Sequence, residues 1–320
     1  MRRAALLALL AGLSYSAPAA AEPLSVTARP IETFGSELED GAPLRYLGGI
    51  EITSDDRRFG GLSGIAMIGG ERAVMVSDTG MVVHARLVHR DGRLTDLADV
   101  EIDTLFPDDV SKDVGDVEDI AIDPRDPARG VIVRERQANA MLSFEIEGER
   151  LANLEPQRVG APDNILRSNR GLESVAYASE ASPLAGEIVA IAEGPPRGMS
   201  DIPAWIAGVG QFVIVPRDGF DISSARFLPD GDLILLERRF APISGLGMRI
   251  RRIARETIAV GARLDGEVIL DAGMASQIDN MEGLAVHEDE SGRVILTLVS
   301  DDNNNILQRT LILQFELAGD

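Results

Sequence analysis

A short phrase recurs along this chain of 320 residues, and it constrains the fold more than any other feature. It sets an acidic residue beside Gly-Leu or Ile-Ala. The phrase reads Asp116-Val117-Glu118-Asp119-Ile120-Ala121, then Asn169-Arg170-Gly171-Leu172-Glu173-Ser174-Val175-Ala176, then Asn280-Met281-Glu282-Gly283-Leu284-Ala285. Gly61-Leu62-Ser63-Gly64-Ile65-Ala66 is a degenerate copy without the carboxylate, and Asp221-Ile222-Ser223-Ser224-Ala225-Arg226-Phe227 is weaker still. Each copy precedes a short apolar run that ends in an acid, namely Asp78, Glu135, Glu193, Glu237 and Asp301. A period of roughly 50 to 60 residues built from short strands is the signature of a β-propeller.

The expected fold is therefore all-β, a single β-propeller over residues 22–320. Five repeat units are visible, and the N-terminal extension with the weak copy after Glu193 leaves room for a sixth blade. Runs of β-branched and aliphatic residues alternate with Asp-Gly, Gly-Glu and Pro-Asp turn signals, and no long stretch carries a helical period. The first unit parses into strands near 62–68, 72–77, 83–88 and 95–102, the second near 118–122, 130–134, 140–147 and 153–159. The last unit lacks an outer strand, which residues 44–52 can supply to close the ring. In such a unit the first strand lines the central channel, and that strand carries Glu118, Glu173 and Glu282.

Residues 1–21 read as a secretory leader. Arg2 and Arg3 precede an apolar stretch, and Ala19-Ala20-Ala21 forms a small-residue cleavage site. The leader is too short to span a bilayer and no later segment is long and apolar enough, so the expectation is a periplasmic or secreted protein without a stable membrane anchor. Cysteine is absent, which excludes disulfides, thiolate metal sites and a thiol nucleophile. The formal net charge is −21 and Lys112 is the only lysine, so nucleic acid is not an expected partner.

Glu118, Glu173 and Glu282 occupy matching places in separate units, and a closed ring gathers them at one axis. Carboxylates clustered without a counter-charge would in part protonate. Oxygen ligands from several rigid strands suit a hard cation such as calcium, bound at about 2.3–2.6 Å. The bland alternative is that each glutamate bonds backbone amides of the neighbouring blade. Asp301 heads the run Ser300-Asp301-Asp302-Asn303-Asn304-Asn305, whose composition favours a plain turn but whose place matches Asp78, Glu135, Glu193 and Glu237. Arg136, Arg170 and Arg238 lie beside these acids; guanidinium suits phosphate, and it equally suits a salt bridge. The histidines His84, His89 and His287 are scattered, and no nucleophile elbow or phosphate-cradling glycine loop occurs.

With these phrases laid out, the chain resembles the phytase-like family of exported bacterial proteins, described as having the esterase-like activity of phytase. The resemblance rests on Leu62-Ser63-Gly64-Ile65 with Ser77-Asp78, on the three acidic phrases, and on Leu228-Pro229-Asp230-Gly231 with Leu236-Glu237-Arg238-Arg239-Phe240. Ser300-Asp301-Asp302-Asn303 with Gln308-Arg309-Thr310 completes it, so it spans roughly residues 45–318. It implies a calcium-holding propeller in which basic residues clamp a phosphate.

The resulting expectation is a calcium-dependent hydrolase of a small phosphate ester. Its cation ligands are Glu118, Glu173, Glu282 and Asp301, with Asp78, Glu135, Glu193 and Glu237 as secondary candidates. Arg136, Arg170 and Arg238 orient the substrate. Two alternatives stand beside it: a non-catalytic propeller that binds a ligand or partner around structural calcium, and a calcium-dependent lactonase or esterase. One lysine and a strongly acidic surface make phytate itself a poor fit.

Overall fold

The computed structural model describes residues 21–35, 38, 42–106, 115–136, 140–148, 150–166, 170–241 and 245–318. The leader (all but Ala21), Lys112 and Asn169 lie outside these residues. Among the described residues strands make up nearly all the regular structure, with the short helix Asp163–Leu166 and a turn of 3-10 helix, Arg255–Thr257. No helix among the described residues is long and apolar enough to cross a membrane.

Each copy of the phrase opens an antiparallel four-stranded unit. Unit I comprises Leu62–Ile68, Arg72–Ser77, Met81–Arg90 and Arg93–Thr104, paired in that order. Unit II follows with Val117–Asp123, Asp126–Arg134, Met141–Glu147 and Arg150–Gln157. Unit III has Leu172–Tyr177, Ile188–Ala192, Ile202–Ile206 and Gly210–Ile214, with the short Arg263–Leu264 added parallel at its edge. Unit IV is Asp221–Phe227, Leu233–Ala241, Gly245–Ile253 and Glu267–Ala272. Unit V is Asn280–Glu288, Val294–Asp301 and Thr310–Leu317, and its outer strand comes from the other end of the chain, Leu44–Thr53. The expected closure by residues 44–52 is what the chain does.

The first strands pack in a cycle: unit I on II, II on III, III on IV, IV on V, and V back on I. Their near-complete burial explains why they and their partners read as continuous apolar runs rather than alternating ones. The core is divided among the gaps between units. Val74, Val76, Ile120 and Phe144 fill the gap between I and II, and Ile234, Met248, Leu284 and Leu298 that between IV and V. The phrase's glycines let the inner strands close. A Cβ on Gly64 would lie 2.9 Å from Asp119 Cα, and one on Gly283 would lie 3.0 Å from Gly64 Cα.

Candidate functional site

The recurring phrase encodes a β-bulge. In every unit the pairing of the first strand to the second skips one residue: Ser63, Glu118, Glu173, Ser223 or Glu282. A bulged residue leaves the ladder and its side chain is re-aimed, which is why bulges gather beside sites. Here they gather Glu118, Glu173 and Glu282 at the end of the channel where the inner strands begin. The two serines instead tie neighbouring units, Ser63 Oγ donating to Val117 O at 2.6 Å and Ser223 Oγ to Met281 O at 3.0 Å.

The bulge also fixes which residues of the second strands reach the same mouth. Leu62, Val117, Leu172, Ile222 and Met281, just before the bulges, pair with Ser77, Arg134, Ala192, Glu237 and Ser300. The next residue in each case is Asp78, Glu135, Glu193, Arg238 or Asp301. Four of the expected acids therefore hold equivalent positions around the mouth, and Glu237 does not. A shift of one residue in a strand turns a side chain to the opposite face. Glu237 points into the blade, fully buried, where Arg251 grips it with Nε–Oε2 2.9 Å and Nη2–Oε1 2.5 Å. Its expected role as a cation ligand is corrected to that of a structural ion pair.

Arg238 stands in the acid position of unit IV and reaches into the ring. Its Nη2 lies 3.1 Å from Glu173 Oε1 and 3.4 Å from Glu193 Oε1, and its Nη1 lies 3.1 Å from Glu282 Oε1. Arg170 pairs with Glu193 at 3.5 Å and with Asp221. Arg136 pairs with Glu135 at 2.9 Å and approaches Asp116 at 3.9 Å. All three arginines thus meet at one mouth, each already in contact with its acids.

Charge remains in excess. Burial, then Glu173, Asp116, Glu282 and Glu135, raises the Glu118 carboxyl well above its ordinary range. Burial raises Glu173 well above its ordinary range and raises Glu282, opposed in both by Arg238. Burial, Glu282 and Asp78 together push Asp301 up to about 7. In unit II, Asp116, Glu118 and Glu135 each present a carboxylate oxygen within 4.8 Å of the others. Two oxygens on opposite sides of one calcium ion are separated by about 4.8 Å, so this donor set fits such a cation.

The remaining acids of the mouth are structural. Asp302 accepts from Gly61 N and Asn304 N at 3.0 Å and from Thr310 Oγ1 at 2.9 Å, which joins unit V to unit I. Asp279 accepts from Asn280 N at 2.9 Å and Arg309 N at 3.1 Å. Below the mouth, Arg226 crosses the channel to Asp119, a pair that sequence reasoning missed. The signal was present: Arg226 stands where the other copies have Ala66, Ala121, Ala176 and Ala285. The loop after Glu193 connects two strands of unit III, and Trp205 is buried in the core beside it.

Residues 57–304 match the family described as Phytase-like, esterase-like activity of phytase. No curated protein matches the chain. Among solved structures, an endo-arabinase from Bacteroides thetaiotaomicron is similar at 10% identity and a TM-score of 0.50, over 82% of this chain and 96% of that one. A β-propeller domain from Myceliophteria thermophila is 8% identical with a TM-score of 0.38, over 91% of this chain and 100% of that one. At 10% identity the likeness to the endo-arabinase is one of fold alone.

Proposed function

Because the chain belongs to the phytase-like family, we propose that it is an exported, calcium-dependent hydrolase of phosphate esters working at this mouth. The observation that carries the reading is the gathering of Glu118, Glu173, Glu282, Asp78, Glu135, Glu193 and Asp301 at one mouth around Arg238, whose guanidinium bridges units III and V. Like charges held together need a cation or protons. Asp116, Glu118 and Glu135 have the spacing to hold the cation, and the acids of units III and V extend the negative field around it. When bound, such a cation supplies Lewis acidity toward a phosphoryl oxygen and a lowered pKa to a water molecule.

The chain's own groups do the rest. Arg136 and Arg170 are partly exposed at the rim and can turn from their acids to an incoming phosphate with paired hydrogen bonds. Arg238 is fixed by three carboxylates, so it positions Glu173 and Glu282 and balances their charge. Asp301, whose carboxyl burial and neighbouring acids push up to about 7, is about half protonated at neutral pH and can pass its proton to the departing ester oxygen.

The test is phosphate release from phytate and from an aryl phosphate, each with calcium and with chelator. Calcium-dependent release that Glu118→Gln abolishes in a folded protein is the expected result. Silence toward both substrates would sink the hydrolase and leave a binding propeller with structural calcium.

A further inference from the structure

Among the described residues, most of the large apolar side chains left exposed lie at the end of the ring that carries the acids. Met199, Met274, Ile306 and Leu307 sit on connections that lead from second to third strands or from one unit to the next. Those connections lie at the mouth, where the inner strands begin. Phe240, 75% exposed, joins them by a different route. The strand Leu233–Ala241 runs three residues past Arg238 and stays paired as far as Ala241 with Gly245, so this hairpin stands above the mouth. Alternation puts Phe240 on the same side of the strand as Arg238. Their partners across the hairpin are Leu246 and Met248, and Met248 belongs to the core shared with unit V. Phe240 thus faces unit V, the unit whose loop bears Ile306 and Leu307. Met274 leans on the turn end of the hairpin, its Cγ 2.8 Å from where a Cβ of Gly245 would be.

The loop carrying Ile306 and Leu307 is tightly tied. Asn305 N donates to Asp302 O at 2.8 Å, Leu307 N to Asn305 Oδ1 at 3.1 Å, and Arg309 Nη2 to Ile278 O at 2.9 Å. Yet its two apolar side chains are 99% and 85% exposed. Exposed apolar surface beside a polar centre marks a place where a ligand or partner lands.

We propose that Phe240, Met274, Ile306 and Leu307 form a wall that receives the hydrocarbon part of an amphiphilic monoester, whose anionic head enters the acid-lined mouth. The head-group half of this inference rests on the hydrolase reading above. Charge favours the same substrate class. A polyanion meets a chain of net charge −21 whose mouth arginines are already engaged, whereas one anionic group with a carbon chain meets a cation site and an apolar wall.

The experiment compares decyl phosphate with ethyl phosphate, both below micelle-forming concentrations and in saturating calcium, by titration calorimetry and by phosphate release. The wild-type chain is set against Phe240→Ser and the double variant Ile306→Ser/Leu307→Ser, all exposed positions whose exchange leaves the core intact. Decyl phosphate should bind at least about tenfold more tightly than ethyl phosphate, since chain burial scales with apolar area. The variants should lose most of that advantage with ethyl phosphate unaffected. Equal affinities, no binding of decyl phosphate, or an advantage that survives in both variants would overturn the wall. Chain-length-dependent binding without phosphate release would keep the wall and defeat the hydrolase. Release from ethyl phosphate without a chain-length effect would do the reverse.

Discussion

Arg226 and Asp119 are 107 residues apart in sequence and form a two-toothed ion pair across the channel, Nη2–Oδ1 2.7 Å and Nη1–Oδ2 2.8 Å. The same guanidinium donates to Ile120 O at 2.7 Å, Val175 O at 3.0 Å and Ile65 O at 3.2 Å. Asp119 also accepts from Ser174 Oγ at 2.9 Å and Ser224 Oγ at 3.2 Å. One buried pair therefore fastens units I to IV and closes the channel beneath the acids. Breaking such a pair by removing one partner costs about 3–5 kcal/mol, because the other charge stays buried. Asp119→Ala should lose stability of that order in urea unfolding, and Asp119→Ala/Arg226→Leu should recover part of it. A single variant as stable as the wild type would show that the pair does not fasten the ring.

Glu237 and Glu118 make opposite predictions. Glu237→Gln removes one charge from a fully buried pair with Arg251 and should lower the melting temperature while calcium affinity stays the same. Glu118→Gln should leave the melting temperature of the chelated protein unchanged or raised, since burial and neighbouring acids already disfavour its charge, and should weaken calcium binding at least about tenfold. Calorimetric titration of calcium into both variants checks this. Loss of affinity in Glu237→Gln would put that residue back at the mouth.

The phrase was legible because a bulge at the same place in every unit demands the same backbone, and its extra residue repeats as Ser63, Glu118, Glu173, Ser223 and Glu282. Strand positions and the closing strand followed from apolar runs and turns. Register did not. The apolar runs end in an acid in all five units, yet in unit IV the equivalent position is the residue after that acid, Arg238. Only hydrogen-bonded pairing reveals the offset, since an alignment of acids is satisfied by Glu237 equally well. The role of Asp119 was hidden for a related reason: it adjoins Glu118 in sequence, and the strand turns the two side chains to different fates, one to the mouth and one to the channel axis.

Stability should depend on pH in a direction set by the acids. Asp301 has an ordinary value of 3.8 and a folded value of about 7, so between these limits the folded chain holds a proton that the unfolded chain has lost. Its contribution is fully present below about pH 4 and is lost as pH rises through 7. Glu118, Glu173 and Glu282 are raised as well and act in the same direction. The chelated protein should therefore melt at lower temperature at pH 8 than at pH 5. Calcium replaces the protons, so its stabilising effect should be larger at pH 8. A melting temperature that rises from pH 5 to 8 in chelator would contradict the burial of these carboxyls.

Arg238 provides the sharpest separation between charge balance and substrate handling. It is the cation that the ring supplies from within, touching Glu173, Glu193 and Glu282 at 3.1–3.4 Å. Arg238→Met removes that charge and leaves three carboxylates facing one another. In chelator at pH 8 the variant should lose about 3–5 kcal/mol. Removing the competing guanidinium should tighten calcium binding, so at one calcium concentration the calcium-induced rise in melting temperature should exceed that of the wild type. If Arg238 only positions Glu173 and Glu282, saturating calcium should restore turnover with KM little changed. If its guanidinium touches the substrate, KM for phosphate ester should stay raised however much calcium is present. A variant with unaltered stability in chelator would mean that the carboxylates balance one another by protonation, and Arg238 would drop out of the account of the ring.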